Sequence, residues 1–434
     1  MAVRYGFTLA IAIGCATLAG VLSQLAFANP DLATETVTQR LPLSQYHYSG
    51  DVQIDPETTH LAAAWTITLD DPDTRSLTYW LSANFDTLEV TGADVEAYST
   101  GPAGPPGVQA VTIELSDHTD APRQIEIGYS GVLFPEPMEN QINSISPRKV
   151  EFTVDSFWQP FDARFSARIT ADLRLQIPGD WTPVTTGYAE GRAEEIAFLF
   201  DRPTLDLPLT LLSDFTEVHT DTYRILDTRP GEADLTALAE TAAFCTEYLN
   251  ARYSARETLP QANIVLHDRP SSGYARGTLI ALSETGRGEG PDTTKFVCHE
   301  FAHFWSSNGV PITVENWLNE SFAELVGLMA VRERYGEGAF EAVVSSWQAR
   351  LTTMGEVGSV WSPDDLSRRS YAVNYIKGPL ALAALEDRIG REAFAQFVAR
   401  YMVERIATTP DLLAMLEEVA GREHRDWFET ALGE

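Results

Sequence analysis

Apolar and polar residues alternate with a period of two from about residue 40 to 212, as at Trp65, Ile67 and Leu69, at Ile125, Ile127 and Tyr129, and at Ile169, Leu173, Leu175 and Ile177. Successive side chains of a strand point to opposite faces, so this alternation predicts half-buried strands. Turn-forming stretches separate them at Asp71-Pro72-Asp73, in the Pro-rich run from Gly101 to Gly107, and at Pro178-Gly179-Asp180. Strands punctuated in this way predict an antiparallel, sandwich-like β domain. After residue 220 the period becomes that of a helix, starting with Leu235, Leu238, Ala242, Cys245 and Leu249 on one stripe. Two short strand-like runs, Ala262 to His267 and Gly277 to Ser283, precede a Gly-rich loop from Gly286 to Gly290, and the rest reads as helical. Strands followed by helices make an α+β unit.

A chain of 434 residues exceeds the usual size of one hydrophobic core. The expected organisation is an export segment over 1–28, a β domain over 29–215 and an α+β domain over 216–434. The first 28 residues carry Arg4 as their only charge, a long apolar run, and small residues at Ala26 and Ala28 before Asn29. That pattern reads as a secretory signal, with an uncleaved membrane anchor or a lipoprotein signal at Cys15 as alternatives. The protein is accordingly expected to be exported, periplasmic or extracellular, and held to a membrane only if this segment stays on.

Hydrophobic residues at 44% and charged residues at 21% are ordinary for a soluble globular protein. Without the first 28 residues, 30 basic side chains face 62 acidic ones, about −32 overall. Such a surface repels nucleic acid and anionic lipid heads, and neither is expected as a partner. Only Cys245 and Cys298 lie beyond that segment. With no disulfide framework to read, two buried thiols are expected, and a single bridge is the alternative.

The segment Cys298-His299-Glu300-Phe301-Ala302-His303 contains H-E-x-x-H. Asp292 is placed to cap its helix, and Asn308, Gly309 and Pro311 to end it. On a helix His299 and His303 sit one turn apart, so both imidazoles can reach one ion while Glu300 lies beside them near its water. Phe296, Val297, Phe301, Ala302, Phe304 and Trp305 surround these polar groups with apolar ones. A buried helix needs partners for such groups, and a metal would supply one.

Sixteen residues separate His303 from the Glu of Trp317-Leu318-Asn319-Glu320-Ser321-Phe322-Ala323, and the chain later reads Tyr375-Ile376-Lys377-Gly378. H-E-x-x-H-x-W followed by W-L-N-E-x-F-A and Y-x-K-G resembles the M1 aminopeptidases, gluzincin zinc enzymes with a β domain before a thermolysin-like catalytic domain. The resemblance runs from about residue 40 to the C-terminus and implies a short form without the family's further β segment and helical C-terminal domain. It implies one zinc ion held by His299, His303 and Glu320, with Glu300 as general base and Tyr375 stabilising the oxyanion. The substrate class it implies is a peptide or protein.

Two departures qualify it. The spacing from His303 to Glu320 is two residues shorter than usual in the family. The G-x-M-E-N segment, whose Glu grips the substrate amine, is matched only by Gly273-Tyr274-Ala275-Arg276-Gly277. Arg276 is expected to face solvent, with a substrate carboxylate as its alternative partner, and Glu136, Glu139, Glu151 or the acidic run after Ser283 remain as substitute amine anchors. Met138-Glu139-Asn140 is read as coincidence. The expected function is an exported zinc metallopeptidase, aminopeptidase-like, with an endopeptidase or a zinc-binding envelope protein without turnover as rivals.

Overall fold

The computed structural model describes residues 45–434 apart from 72, 118–121, 136–141, 192–193, 230–233, 270–272 and 284–289. The 1–28 segment, Cys15, Glu136, the Met138-Glu139-Asn140 triplet and the loop from Gly286 to Glu289 lie outside the described residues.

Alternating positions of the first half do line a core, with Trp65, Ile67, Ile127 and Leu173 all at most 2% exposed. Their strands form a seven-stranded sheet in the order Tyr188–Glu190, Glu195–Thr204, Arg168–Gln176, Gln45–Asp55, His60–Leu69, Arg123–Val132, Phe85–Thr91. Its inner face shares one core with two four-stranded sheets, one containing Ser76–Ser82 and Val108–Leu115, the other Lys149–Phe152 and Leu209–Leu212. The seven-stranded sheet departs from the expected antiparallel pattern at one place, where Gln45–Asp55 runs parallel to Arg168–Gln176. Parallel neighbours need a long crossover, and here the crossover contains the second sheet.

The second half opens on a five-stranded sheet in the order Thr216–His219, Tyr223–Asp227, Ala262–Leu266, Leu279–Leu282, Tyr274–Arg276. Its three central strands are parallel. Among the described residues eight α-helices follow or interleave: α1 (Thr236–Tyr253), α2 (Pro291–Ala302), α3 (Asn316–Tyr335), α4 (Glu337–Met354), α5 (Gly378–Ile389), α6 (Arg391–Glu404), α7 (Thr409–Ala420) and α8 (Arg422–Gly433). Helix α1 buries the predicted stripe Leu238, Ala242, Cys245 and Leu249, and it is the crossover that makes Tyr223–Asp227 and Ala262–Leu266 parallel. Among the described residues no helix is long and apolar enough to cross a membrane.

Between the halves lies a buried charge cluster. Glu151 is completely buried and accepts from Arg269 Nη1 at 2.9 Å on both oxygens, from the Tyr274 hydroxyl at 3.1 Å and from Lys149 Nζ at 3.2 Å. Burial alone would raise its carboxyl, but Arg269, His267 and Lys149 together hold it well below the carboxylate range. All of its acceptor capacity is used, so Glu151 is not free to anchor a substrate amine. Arg276 corrects another expectation: its side chain is mostly buried, with Nε 3.1 and 3.3 Å from the two oxygens of Asp206. Asp206 in turn accepts from the backbone N–H of Val154 at 2.9 Å, so Arg276 ties the edge strand to the β domain.

The cysteines are also not two thiols. Cys245 of α1 and Cys298 of α2 are joined by a disulfide, with Cα atoms 5.1 Å apart. Both face the same helix interface inside one core, which sequence spacing does not reveal. Closing a loop over a separation of 53 residues is worth about 4 kcal/mol in the chain-entropy picture.

Candidate metal centre

Helix α2 starts at Pro291, where the missing N–H costs nothing, with Gly290 at the preceding cap position. Asp292 sits in the first turn and makes no cap bond, and the helix stops at Ala302, so the second histidine occupies its C-cap. His299 and Glu300 are each 2% exposed.

Helix α3 packs tightly on α2 because of one glycine. A Cβ on Gly327 would collide with the carbonyl oxygen of Lys295 and come within 3.3 Å of the His299 amide nitrogen. That approach carries Glu320 to the histidines. His299 Nε2 and His303 Nε2 lie 3.1 Å apart, and Glu320 Oε2 lies 3.7 and 3.5 Å from them. Among the described residues this is the group of His, Cys, Asp and Glu side chains arranged to hold a metal ion. Ligand atoms at zinc's usual 2.0–2.1 Å in a tetrahedral arrangement are roughly 3.3 Å apart, close to the separations seen. His303 Nδ1 donates to the Ser306 carbonyl at 3.0 Å, which turns its Nε2 toward the centre. The residues therefore fit zinc in chemistry and spacing.

The electrostatics agree with a site built for a cation. Burial, then His303, pushes the His299 imidazole well below its usual value, so it keeps a free lone pair. Burial opposes protonation of His303, yet Glu320 outweighs it and raises the imidazole to about 9. Burial likewise opposes ionisation of Glu320, and His303 overcomes it, drawing the carboxyl to about 2. Glu300 is raised to about 7 by burial, with Glu320 and Glu324 adding to the rise and His303 and Arg276 opposing it. A Cβ on Gly273 would stand 3.8 Å from Glu300 Oε1, so the edge strand runs directly past this carboxyl.

Tyr375 reaches the same place from a five-residue π-helical turn, Val373–Lys377. Its ring stacks against His299 at 6.0 Å and Tyr371 at 4.6 Å, and its hydroxyl hydrogen-bonds Glu320. Ser321, the neighbour of Glu320, donates to the Asn374 carbonyl at 2.6 Å. A Cβ on Gly378 would lie 2.9 Å from that of Ser321, so Gly378 permits the approach and α3 fixes both Glu320 and Tyr375. Lys377 holds the Gly358 carbonyl at 2.5 Å, a purely local tie.

Spacing and resemblance thus named five residues that the fold brings together. They missed Glu324, whose Oε1 lies 3.8 Å from His299 Nδ1 and which pairs with Lys295. The available signal was its position one turn after Glu320 on the same helix face. They also missed how the shortened spacing between His303 and Glu320 is accommodated. Asn319 clamps that connection at Gly309, accepting from its N–H and donating to its carbonyl, both at 2.9 Å.

Residues 279–430 match the Peptidase family M1 domain. Glutamyl aminopeptidase of Bitis rhinoceros is 23% identical over 392 residues, covering 83% of this chain and 38% of that protein. The chain spans well under half the length of the curated relatives it matches at greatest extent. The M1 zinc metallopeptidase from Deinococcus radiodurans superposes with a TM-score of 0.71 at 20% identity, over 91% of this chain and 94% of that one. A mutant of it bound to a Tyr-Ser-Ala substrate gives 0.68 at 19% identity, over 89% and 93%. These likenesses show a shared fold, an N-terminal β domain of several sheets followed by a helical region.

Proposed function

We propose that this M1 aminopeptidase-like chain, whose residues 279–430 carry the peptidase domain, hydrolyses peptide bonds at one zinc ion held by His299, His303 and Glu320. The observation that carries the reading is the convergence of those three side chains beside Glu300, a buried carboxyl poised near neutrality. A bound zinc ion would polarise the scissile carbonyl and make a water molecule acidic. Glu300 takes the proton of the attacking water as its oxygen bonds to the carbonyl carbon, and returns a proton to the amine as the C–N bond breaks. Tyr375 donates its hydroxyl to the oxyanion that forms between those two steps. The Ser306 carbonyl orients His303, as a partner behind a metal ligand does, and Glu324 puts a carboxylate 3.8 Å behind His299 Nδ1.

An aminopeptidase-like specificity has the support of the curated relatives, and an endopeptidase has the support of the edge strand. There the cation Arg276, paired with Asp206, stands where the resemblance places an amine-gripping Glu, and Glu151 of the β domain is spent on Arg269 and so is not a substitute anchor. Export belongs to the same proposal, with residues 29–215 as a β domain and 216–434 as the catalytic one. The apolar 1–28 sequence and the Cys245–Cys298 bridge support it, since disulfides persist in oxidising compartments.

The test is hydrolysis of a quenched-fluorescent peptide mixture by zinc-loaded protein, with free and acetylated N-termini and Glu300→Ala as control. Cleavage of free-amine peptides alone is expected. Cleavage of both makes it an endopeptidase, and zinc binding without cleavage above the control removes turnover altogether. In the same assay Tyr375→Phe should lower kcat by about 10²- to 10³-fold, the usual loss of one oxyanion donor. KM should stay within about threefold, because the hydroxyl acts on charge absent from the bound substrate. An unchanged kcat would reduce Tyr375 to an aromatic packed on His299.

A further inference from the structure

The zinc helix is held from two sides, and one of them is covalent. Toward α3 it is fixed by the Gly327 approach, by the pairing of Lys295 with Glu324, and by Thr294, which contacts the Tyr335 hydroxyl at 3.1 Å and accepts from Arg334 at 3.3 Å. Toward α1 it is fixed by the disulfide from Cys298 to Cys245, and Cys298 is the residue immediately before His299. Both sulfur-bearing residues are completely buried.

We propose that this cystine is a positioning element for the metal centre, so that the chain acquires high zinc affinity only once Cys245 and Cys298 are oxidised. The inference rests on the zinc reading given above. Helix α2 has 12 residues and no side-chain cap bond at its start, and it ends just before His303. A helix that short is marginal by itself, and tertiary contacts decide where it lies. Ligand atoms separated by 3.1 to 3.7 Å tolerate little displacement. Without the bridge, the side of α2 facing α1 is held by apolar packing and by Arg334, which donates to Thr241 of α1 at 3.1 Å and to Thr294 of α2 at 3.3 Å. Both resist sliding along the helix less than a covalent bond does, and Arg334 itself belongs to α3, so the α3 side then dominates the helix position.

The chemistry balances with an external thiol couple. A dithiol reductant gives two electrons and two protons, the S–S bond is replaced by two S–H groups, and the dithiol becomes a disulfide. Because both sulfurs are buried, this exchange needs α1 and α2 to separate first, so the folded, oxidised protein resists it. The dependence therefore acts when the chain first folds, as a requirement for an oxidising compartment.

The experiment compares zinc affinity, by competition with a chromogenic chelator, for oxidised wild type, Cys245→Ala/Cys298→Ala and Leu249→Ala. Leu249 is a buried core residue of α1 one turn beyond Cys245, and its truncation lowers stability without touching the bridge. Both variants should melt at a lower temperature. Only the cysteine pair should lose zinc affinity, by about tenfold or more, the range seen when support behind a metal ligand is removed. A folded cysteine variant that binds zinc within about twofold of wild type overturns the proposal and leaves the bridge a stabiliser only. A second measurement needs no variant: reduced wild type is refolded in an oxidising buffer while zinc uptake and thiol loss are followed together. Uptake that tracks thiol loss supports the proposal, and full uptake before oxidation overturns it. If the oxidised wild type binds no zinc at all, it is the metal-centre reading that fails.

Discussion

Replacing Glu300 with glutamine lowers kcat by about 10²- to 10⁴-fold, the range for loss of a positioned general base, and leaves zinc affinity close to that of the parent. Glutamine keeps the shape and the hydrogen-bonding reach of the side chain but accepts no proton. Glu300 is not among the three converging ligand atoms, so its loss does not dismantle the cation site. Neutralising it also removes a buried carboxyl that burial, Glu320 and Glu324 push up to about 7, so the variant is not expected to unfold. Stopped-time peptide hydrolysis with parallel zinc titration checks both halves. A variant that retains a tenth or more of kcat would sink Glu300 as the base, and one that loses zinc would make it a structural part of the site.

The second large effect is expected at a residue with no side chain. Gly327→Ala puts a methyl group into the backbone of α2 at the Lys295 carbonyl, where no flexible side chain can move aside. The helices must part by roughly 1 Å, with overpacking costs of about 1–3 kcal/mol. Alanine returns up to about 1 kcal/mol of helix propensity, so the change in stability is modest. The change at the centre is not, because α3 carries Glu320 while α2 and its C-cap carry the two histidines. Zinc affinity should fall by about tenfold or more, since ligand geometry is lost rather than ligand chemistry. Chelator competition and thermal melting, read side by side, separate the two effects. Unchanged zinc affinity would mean that the helices adjust without disturbing the ligands.

Much of this site was legible because its chemistry follows a helical period. His299, Glu300 and His303 announce themselves at i, i+1 and i+4 on a run that is otherwise apolar. Glu320 and Tyr375 were legible only through resemblance, because nothing in their local sequence says that α3 and the turn before α5 converge on α2. The strands of the first half were legible wherever one face is buried, as at Trp65 and Ile67. Alternation carries no direction, however, so the parallel pairing of Gln45–Asp55 with Arg168–Gln176 could not be read. Thr216–His219 escaped notice because all four of its residues are exposed and show no alternation. The π-helical turn at Tyr375 and the bridge between Cys245 and Cys298 depend on contacts distant in sequence. The same holds for Arg276, which looks like a surface residue until Asp206 is seen beside it.

The Glu151 cluster joins the two halves energetically as well as spatially. Lys149 and Glu151 come from the first half of the chain, while His267, Arg269 and Tyr274 come from the second. Removing one member of a buried ion pair costs about 3–5 kcal/mol, a large share of any domain's stability. A single substitution on either side therefore leaves an orphaned charge in the other half and carries a heavy penalty. Loss of one charge at this boundary is felt by both halves at once, so their stabilities are coupled through a cluster that neither half contains by itself.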